Sequence, residues 1–236
     1  MTRQIVLDTE TTGLNAKLGD RIIEIGCIEI ASRRFTGRNF HAYLNPGRDI
    51  DEGALKVHGL SREFLADKPR FADVAAEFLE YVRGAELVIH NADFDVEFLD
   101  AELKLAKLGR LADYGVKVVD SLALARELHP GKKNSLDALC ERYLVDNSNR
   151  TFHGALLDAR LLAECYLAMT RGQESLVMEL EAPAAAAAIA ALKVDVSSLL
   201  VVRAAPEEVE LHEKYLDGME KEAKGPPVWR RILQTS

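Results

Sequence analysis

Two acidic side chains follow an apolar run near the start of the chain. Residues 5–14 read IVLDTETTGL, so Asp8 and Glu10 come where a buried strand would continue. Alternate side chains of a strand share one face, so both carboxylates point the same way, with Thr9 on the opposite face. Two like charges this close repel each other and raise the pKa of at least one carboxyl group. The pair therefore requires a compensating partner elsewhere in the chain or in solution.

Two later segments add acids at predicted strand and helix ends. The segment HNADFD places Asp93 and Asp95 directly after a short apolar strand, at a junction of the kind where α/β proteins build their sites. The segment FHGALLD begins a predicted helix, and His153 and Asp158 would lie about 140° apart if both were helical. We therefore expect His153 on the loop before the helix, with Gly154 permitting a sharp turn into it.

These side chains are suited to binding hard divalent cations. Such cations take oxygen ligands, and two of them side by side would offset the mutual repulsion of Asp8, Glu10, Asp95 and Asp158. Two metal ions about 3.5–4 Å apart stabilise the attacking and leaving oxygens of a phosphodiester displacement. Histidine titrates near neutral pH, so His153 is the candidate general base for the attacking water. The sequence predicts two ions, Mg²⁺ or Mn²⁺, and does not choose between them.

Several neighbouring polar residues have ordinary structural explanations. Asp93 and Asp95 can both stabilise a helix N-terminus; we assign Asp95 to the metal site and leave Asp93 out of it. His90 is expected to bond across the turn before the helix, and His41 to be a surface or fold histidine. Glu24 lies within a predicted strand and is expected to give secondary support at most.

Composition bounds the class of protein. The chain has 236 residues, enough for one substantial domain with an extension or for two small domains, and its content of 48% hydrophobic and 29% charged residues is typical of a soluble protein. The net charge of −8 argues against a broad electrostatic surface for duplex DNA, so nucleic-acid affinity would require a local site, a metal ion or a partner. Three widely spaced cysteines, without a signal peptide or membrane span, favour a cytoplasmic protein.

The order of predicted elements indicates an α/β fold. Three strand-like runs come first, and strands then alternate with helices, which is typical of a mixed sheet flanked by helices. Ser135 is the expected N-cap of one helix, and one acidic helix is expected after Pro206. Strands are predicted at Ile5–Leu7, Arg21–Ile30, Asn39–Leu44, 86–90 and Val116–Asp120, and helices from about 54, 71, 94, 121, 135 and 154.

Three ordered motifs resemble those of the DEDDh exonucleases: Asp8-Thr-Glu-Thr-Thr-Gly, His90-Asn-Ala-x-Phe-Asp95 and His153-Gly-Ala-x-x-Asp158. The segments RIIEIG, VHG and PGKKNSLDALC further resemble the epsilon (proofreading) subunits of bacterial DNA polymerase III, over residues 1 to about 178. The resemblance implies a ribonuclease H-like sheet and removal of nucleotides from a DNA 3′ end.

The resemblance also implies individual roles. Asp8, Glu10 and Asp158 would ligate the catalytic metal ion, Asp8 would bridge to the second ion with Asp95 nearby, and His153 would be the general base. Relatives often have an acid five positions before the histidine of VHG, where this chain has Gly53, so that contact to a terminal 3′-hydroxyl is not expected here. The substrate-binding set that the family implies is Asp8, Glu10, Thr11, Leu14, His58 and Asp158.

The sequence after residue 171 predicts segments that bind partner proteins. Residues 1–171 form the predicted exonuclease domain, and 172–195 a flexible linker with an Ala-rich tether. The linker begins with a peptide resembling those that enter a sliding clamp, with Gln173, Leu176 and Met178 as the anchors. Residues 196–236 form a tail in which Trp229 is the candidate anchor for the polymerase catalytic (alpha) subunit. A small theta-like accessory subunit is a further candidate partner.

We therefore predict a 3′–5′ DNA exonuclease that proofreads within a bacterial replicative polymerase. It would act on single-stranded or frayed 3′ ends and release nucleoside 5′-monophosphates by two-metal hydrolysis. One alternative is an RNA-trimming exonuclease with the same chemistry, because the sequence does not show whether a 2′-hydroxyl fits. Another is a non-catalytic adaptor between clamp and polymerase, which would not need the four acids and His153.

Overall fold

The structure is a computed structural model, and it describes residues 3–148, 150, 152–171 and 204–223. The chain divides into two compact units, Met1–Glu179 and Leu180–Ser236. The predicted domain limits at 171 and 195 remain predictions. The predicted clamp-binding anchors and Trp229 lie outside the described residues.

A five-stranded mixed sheet organises the first unit, as the sequence predicted. The strand order is β3-β2-β1-β4-β5. Strand β1 pairs antiparallel with β2 and parallel with β4, which puts it at the centre of the sheet. The strands are β1 Arg3–Thr11, β2 Ile22–Ala31, β3 Arg34–Tyr43, β4 Glu86–Ile89 and β5 Lys117–Asp120.

Helices flank the sheet close to where the sequence predicted them. Ser135 caps helix α6 as expected, because its hydroxyl accepts a hydrogen bond from the backbone N–H of Ala138. The helix expected from about residue 94 begins two residues earlier, at Ala92. The helices are α1 Glu52–His58, α2 Arg62–Leu65, α3 Phe71–Val82, α4 Ala92–Leu105, α5 Ser121–Leu128, α6 Leu136–Tyr143, α7 Ala155–Met169 and α8 Pro206–Ala223.

The central strand β1 contributes to two hydrophobic layers, one on each face of the sheet. Ile5 and Leu7 lie in the cluster that includes residues of α3 and α4, whereas Val6 lies in the cluster that includes residues of α7. Because side chains alternate along a strand, Asp8 and Glu10 continue the face of Val6. Both acids therefore face the layer that contains α7.

Helix α7 approaches the sheet so closely that only glycine fits at one position of β2. Gly26 pairs with Asp8 across the β1–β2 ladder. A Cβ atom added to Gly26 would lie 2.2 Å from the backbone carbonyl carbon of Ala155, the first residue of α7. The missing side chain lets the N-terminus of α7, and with it Asp158, approach the acids of β1.

The second unit contributes one described helix. Helix α8 begins at Pro206 with Glu207 and Glu208 in its first turn, which confirms the acidic helix expected there. In the part of the chain that the structure describes, no helix is both long and apolar enough to cross a bilayer.

Candidate active site

A cleft at the C-terminal end of strand β1 brings together the predicted metal ligands and the predicted base. Its lining includes Asp8, Glu10, Asp95, His153 and Asp158. The first two come from the end of β1, Asp95 from the start of α4, and Asp158 from the first turn of α7. Residues from three distant segments of the sequence therefore meet where the strand and the two helices converge.

The side of the cleft near α7 forms a compact group of donor atoms. Glu10, His153 and Asp158 each offer one ligand atom, and these atoms all lie within 4.8 Å of one another. Nδ1 of His153 lies 3.4 Å from Oδ2 of Asp158. Glu10 and Asp158 are buried, whereas the His153 side chain is 45% exposed, so water can reach its ring.

His153 precedes α7, as predicted, but the proposed reason was wrong. Gly154 has φ −154° and ψ 125°, an extended conformation that other residues adopt, and a Cβ atom there would meet no neighbour within 4 Å. The loop is instead tied to α1: the backbone N–H of His153 donates to the carbonyl of Val57 over 3.1 Å. Hydrogen bonding to a distant segment, rather than a glycine turn, sets the position of His153.

Thr9 connects the two faces of the sheet, a role that sequence reasoning missed. Its hydroxyl donates a 2.7 Å hydrogen bond to Oδ1 of Asp95. Thr9 points away from Asp8 and Glu10, and α4 brings Asp95 to the same opposite face. The sequence offered one signal for this role: Thr9, a residue with a hydroxyl donor, stands between two acids at the end of a strand.

Burial and mutual repulsion raise the pKa values of the carboxyl groups. The pKa of Asp8 lies well above its usual value because the group is buried and near Asp95, Glu10 and Asp158. Burial, followed by the charges of Asp158 and Glu24, raises the pKa of Glu10 to about 8. Burial raises the pKa of Asp95 to about 7, although the hydrogen bond from Thr9 opposes the shift. A cation placed among these groups would reverse the shifts, since it favours the ionised forms.

Arg150 was absent from the sequence-based site, yet it lines the cleft and contacts two of the predicted site residues. Its Nε and Nη2 atoms donate to Oδ1 and Oδ2 of Asp158, each over 2.6 Å. Nη2 also lies 3.0 Å from Nδ1 of His153, and Nη1 bonds to Asp137. No motif marked this arginine, because its role depends on how the segment before α7 folds back onto that helix.

Glu24 lies beside Glu10 on the neighbouring strand β2. It pairs with Glu10 in the β1–β2 ladder and is buried. The Nε2 atom of His41 lies 2.7 Å from Oε1 of Glu24, so the histidine expected to be structural contacts this acid. The charge of Glu24 contributes to the raised pKa of Glu10, and the secondary supporting role expected of Glu24 stays a prediction.

Residues around the β4–α4 junction have mainly structural contacts. Nδ1 of His90 lies 3.1 Å from the Ser121 hydroxyl, so it bonds to the start of α5 rather than across its own turn. Asp120 accepts from the backbone N–H groups of Asn91 and Leu122 and so ties two helix starts together. Asp93, which we left out of the site, is exposed.

Three residues implied as substrate contacts do not line the acidic cleft. The Thr11 hydroxyl donates to the carbonyl of Gly13 over 2.6 Å, and the buried His58 accepts at Nδ1 from the backbone N–H of Leu60. Leu14 is 84% exposed, an unusual position for a leucine side chain. Their substrate roles stay predictions.

Comparison with known proteins identifies the class to which the fold and site belong. The family model described as Exonuclease matches residues 5–166, which include all four acids and His153. The fold is therefore that of an exonuclease, and the prediction of a 3′–5′ exonuclease enzyme is confirmed.

Sequence relatives give a narrower assignment. DNA polymerase III subunit epsilon of Salmonella typhimurium (strain LT2) is 54% identical over 239 residues, covering 98% of each chain. The protein of that name from Escherichia coli (strain K12) is 53% identical over the same length and the same shares. The chain belongs to the family of DNA polymerase III epsilon subunits.

Solved structures share the fold. Exonuclease X in complex with 5′ overhanging duplex DNA is 25% identical and covers 72% of this chain and 92% of that one, with a TM-score of 0.57. The zinc-bound complex of E. coli exonuclease I with single-stranded DNA is 20% identical, covering 75% of this chain and 42% of that one, with a TM-score of 0.64.

The donor set fits the divalent metal dependence that the exonuclease fold implies. Its carboxylate oxygens are the ligands that hard cations prefer. Glu10 and Asp158 already lie within a few ångströms of each other, and Asp8 and Asp95 line the same cleft. Burial is the main cause of the raised pKa values of Asp8, Glu10 and Asp95, and neighbouring carboxylates add to it for Asp8 and Glu10, so a bound cation would favour the ionised forms.

Proposed function

We propose that the chain is the proofreading 3′–5′ DNA exonuclease of a bacterial replicative polymerase. It would hydrolyse the terminal phosphodiester with two divalent metal ions and release nucleoside 5′-monophosphates. The observation that carries this proposal is the convergence of Asp8, Glu10, Asp95, Asp158 and His153 on one cleft. An adaptor protein has no use for such a cluster, which raises the free energy of the folded state unless a cation is bound.

Each side chain of the cleft has a distinct role in this proposal. Asp8, Glu10 and Asp158 hold the metal ions, and Asp95 completes the acidic face from α4. When bound, the metal ions polarise the phosphate and lower the pKa of the attacking water. His153 accepts the proton of that water, and its partly exposed ring can pass the proton on to solvent.

The names of the related proteins favour DNA as the substrate. The closely similar proteins are named as subunits of a DNA polymerase, and the two structural neighbours described above were solved with DNA. The net charge of −8 suits an enzyme that receives a single 3′ end from a partner better than one that holds a duplex alone. Mispaired ends fray, so they would enter the cleft faster than paired ends.

Digestion of end-labelled single strands tests the substrate and the metal together. We expect stepwise shortening of DNA from its 3′ end with Mg²⁺ or Mn²⁺, much slower shortening of RNA, and no cleavage with chelator. Preference for RNA would contradict the DNA assignment while leaving the site intact. Failure to cut either strand with either metal would contradict the enzymatic proposal and favour the adaptor.

A pair of matched variants tests the metal site. Asp95→Asn removes a charge from the cleft, whereas Asp93→Asn removes one from the exposed face of the same first turn of α4. We expect weakened Mn²⁺ binding and lost cleavage only in Asp95→Asn, measured by calorimetry and by the strand assay. Equal behaviour of the two variants would contradict the assignment of Asp95.

The C-terminal part is proposed to connect the exonuclease to its partners. Deletion of residues 182–236 should leave the exonuclease rate unchanged and abolish binding to the polymerase alpha subunit. Trp229→Ala in the full chain should weaken the same binding.

Replacing Gln173, Leu176 and Met178 by alanine should weaken only binding to the sliding clamp. Surface plasmon resonance with each purified partner separates these contacts, and a theta-like subunit can be assayed on residues 1–171.

A further inference from the structure

The guanidinium group of Arg150 forms an ion pair with Asp158 inside the acidic cleft. The Arg150 side chain is 7% exposed, and that of its main partner, Asp158, is 3% exposed. Two parallel hydrogen bonds of 2.6 Å join them in the fork-to-carboxylate geometry that gives the strongest arginine–carboxylate pairs. Such a buried pair is not a solvated surface contact.

The remaining donors of Arg150 bind on both sides of Asp158. Nη2 lies 3.0 Å from Nδ1 of His153, the candidate base. Nη1 bonds to Asp137, whose side chain is 64% exposed at the mouth of the cleft. One guanidinium group therefore contacts both the carboxylate of Asp158 and the ring of His153. Its third contact, to Asp137, connects it to helix α6.

This arrangement conflicts with metal binding at Asp158. Both oxygens of the carboxylate accept a hydrogen bond from Arg150, so a metal ion that coordinates either oxygen must share that oxygen with the guanidinium group or displace the hydrogen bond. A guanidinium group also repels a divalent cation at short range in a poorly solvated cleft. Nδ1 of His153 is likewise engaged as an acceptor for as long as Nη2 stays in place.

We propose that Arg150 is a positioning residue that compensates the charge of Asp158 before metal binding and is displaced from it by the metal ion. Arg150 keeps Asp158 and His153 in place in the metal-free protein, and metal loading replaces one cation by another. This inference rests on the proposed metal-dependent function, because it assigns Asp158 as a ligand.

Calorimetry with Mn²⁺ tests the exchange without reference to activity. Charge-assisted hydrogen bonds contribute roughly 1.5–3 kcal/mol, so removing those between Arg150 and Asp158 should raise the affinity for the metal ion by about 10–100-fold. We expect Arg150→Gln to bind Mn²⁺ at least about tenfold more tightly than the unaltered chain. Arg160→Gln is the matched control, since Arg160 lies on α7 in an exposed 2.7 Å ion pair with Glu164. Its Mn²⁺ affinity should be unchanged.

Thermal unfolding provides the second measurement. With chelator, Arg150→Gln should melt below the unaltered chain, because Asp158 loses its compensating charge; with saturating Mn²⁺ the difference should shrink. Arg150→Lys keeps the charge but lacks the planar fork, so it should fold if the glutamine variant does not, and should bind Mn²⁺ with intermediate affinity.

The possible results separate this inference from the proposed function. If the unaltered chain binds Mn²⁺ and cuts DNA, but Arg150→Gln and Arg150→Lys bind Mn²⁺ no more tightly, the exchange is refuted and the exonuclease proposal stands. If the unaltered chain neither binds Mn²⁺ nor cuts DNA, the proposed function itself fails. An Arg160→Gln variant that binds Mn²⁺ more tightly than the unaltered chain would also refute a specific role for Arg150.

Discussion

Thr9 and Asp95 are joined by a 2.7 Å hydrogen bond on the face of the sheet opposite to Asp8 and Glu10. Strand β1 therefore places two acids on one face and orients a third from the other. The bond also stabilises the ionised form of Asp95, because a hydroxyl donor favours a carboxylate. Successive side chains of β1 point to opposite faces of the sheet, so this one strand contacts Asp95 of α4 on one face and presents Asp8 and Glu10 toward α7 on the other.

Replacement of Thr9 tests this connection. Thr9→Val keeps the shape and removes the donor, so Asp95 loses its orientation and its pKa rises further. Partners of metal-binding groups typically contribute about 10–100-fold in affinity or activity, and we expect a loss in this range for DNA cleavage at limiting Mn²⁺. Thr9→Ser retains the hydroxyl and should stay near the unaltered rate. A Thr9→Val enzyme as active as the unaltered one would show that the bond is not needed.

His153→Ala tests the general base. The rate of single-turnover DNA cleavage should fall by about 10²–10⁴-fold, the usual contribution of such a group. The variant should fold, since its backbone bond to Val57 does not involve the side chain. His129→Ala is a suitable control, because that ring bonds to Tyr143 instead. An unchanged cleavage rate in His153→Ala would remove His153 from the mechanism.

Gly26→Ala tests the close approach of α7 to the sheet. The new Cβ atom would meet the backbone of Ala155 at 2.2 Å, so the helix must move and carry Asp158 away from β1. We expect a free energy of unfolding lower by at least about 1–3 kcal/mol, as for overpacked cores, together with weaker Mn²⁺ binding. Gly218→Ala, in a helix with no atom within 4 Å of the added Cβ, should not destabilise the protein. Equal melting temperatures for the two variants would contradict the close packing.

The pH dependence of the metal-free protein follows from its raised pKa values. In the folded state the pKa of Glu10 is about 8 and that of Asp95 about 7, against ordinary values of 4.5 and 3.8 in the unfolded chain. At pH values between the unfolded and the folded pKa, the folded chain therefore binds more protons than the unfolded chain. Because of this difference, the free energy of unfolding measured with chelator should fall as pH rises from about 5 to 8. Chemical denaturation at several pH values measures this slope.

Metal binding should show the complementary dependence. The ligands must be deprotonated, so Mn²⁺ affinity should rise over the same pH range and binding should release protons. Calorimetry in two buffers of different ionisation enthalpy counts the protons. Release of none at pH 7 would mean that the carboxyl groups are already ionised, contrary to the raised pKa values.

The sequence predicted the parts of the site that local patterns encode. Alternation placed Asp8 and Glu10 on one face, and the strand-to-helix junction placed Asp95. The contributions of Thr9 and Arg150 were not predicted, because each depends on contacts with side chains that approach from another element. The argument from Gly154 failed for a related reason: a hydrogen bond to Val57, outside the motif, positions the histidine.

The two sides of the site are attached to the fold in different ways, one through strand β1 and the other through the segment before α7. Asp8 and Glu10 belong to a strand that lies between β2 and β4 in the sheet, and their own stretch of it pairs with Gly26 and Glu24 of β2 through the backbone ladder. Arg150 and His153 precede α7, outside the sheet, and are held largely by side-chain contacts and by one bond to α1. In the proposed exchange of Arg150 for a metal ion, the side chains that move would therefore lie before α7, and the acids of β1 would stay in a strand paired to β2.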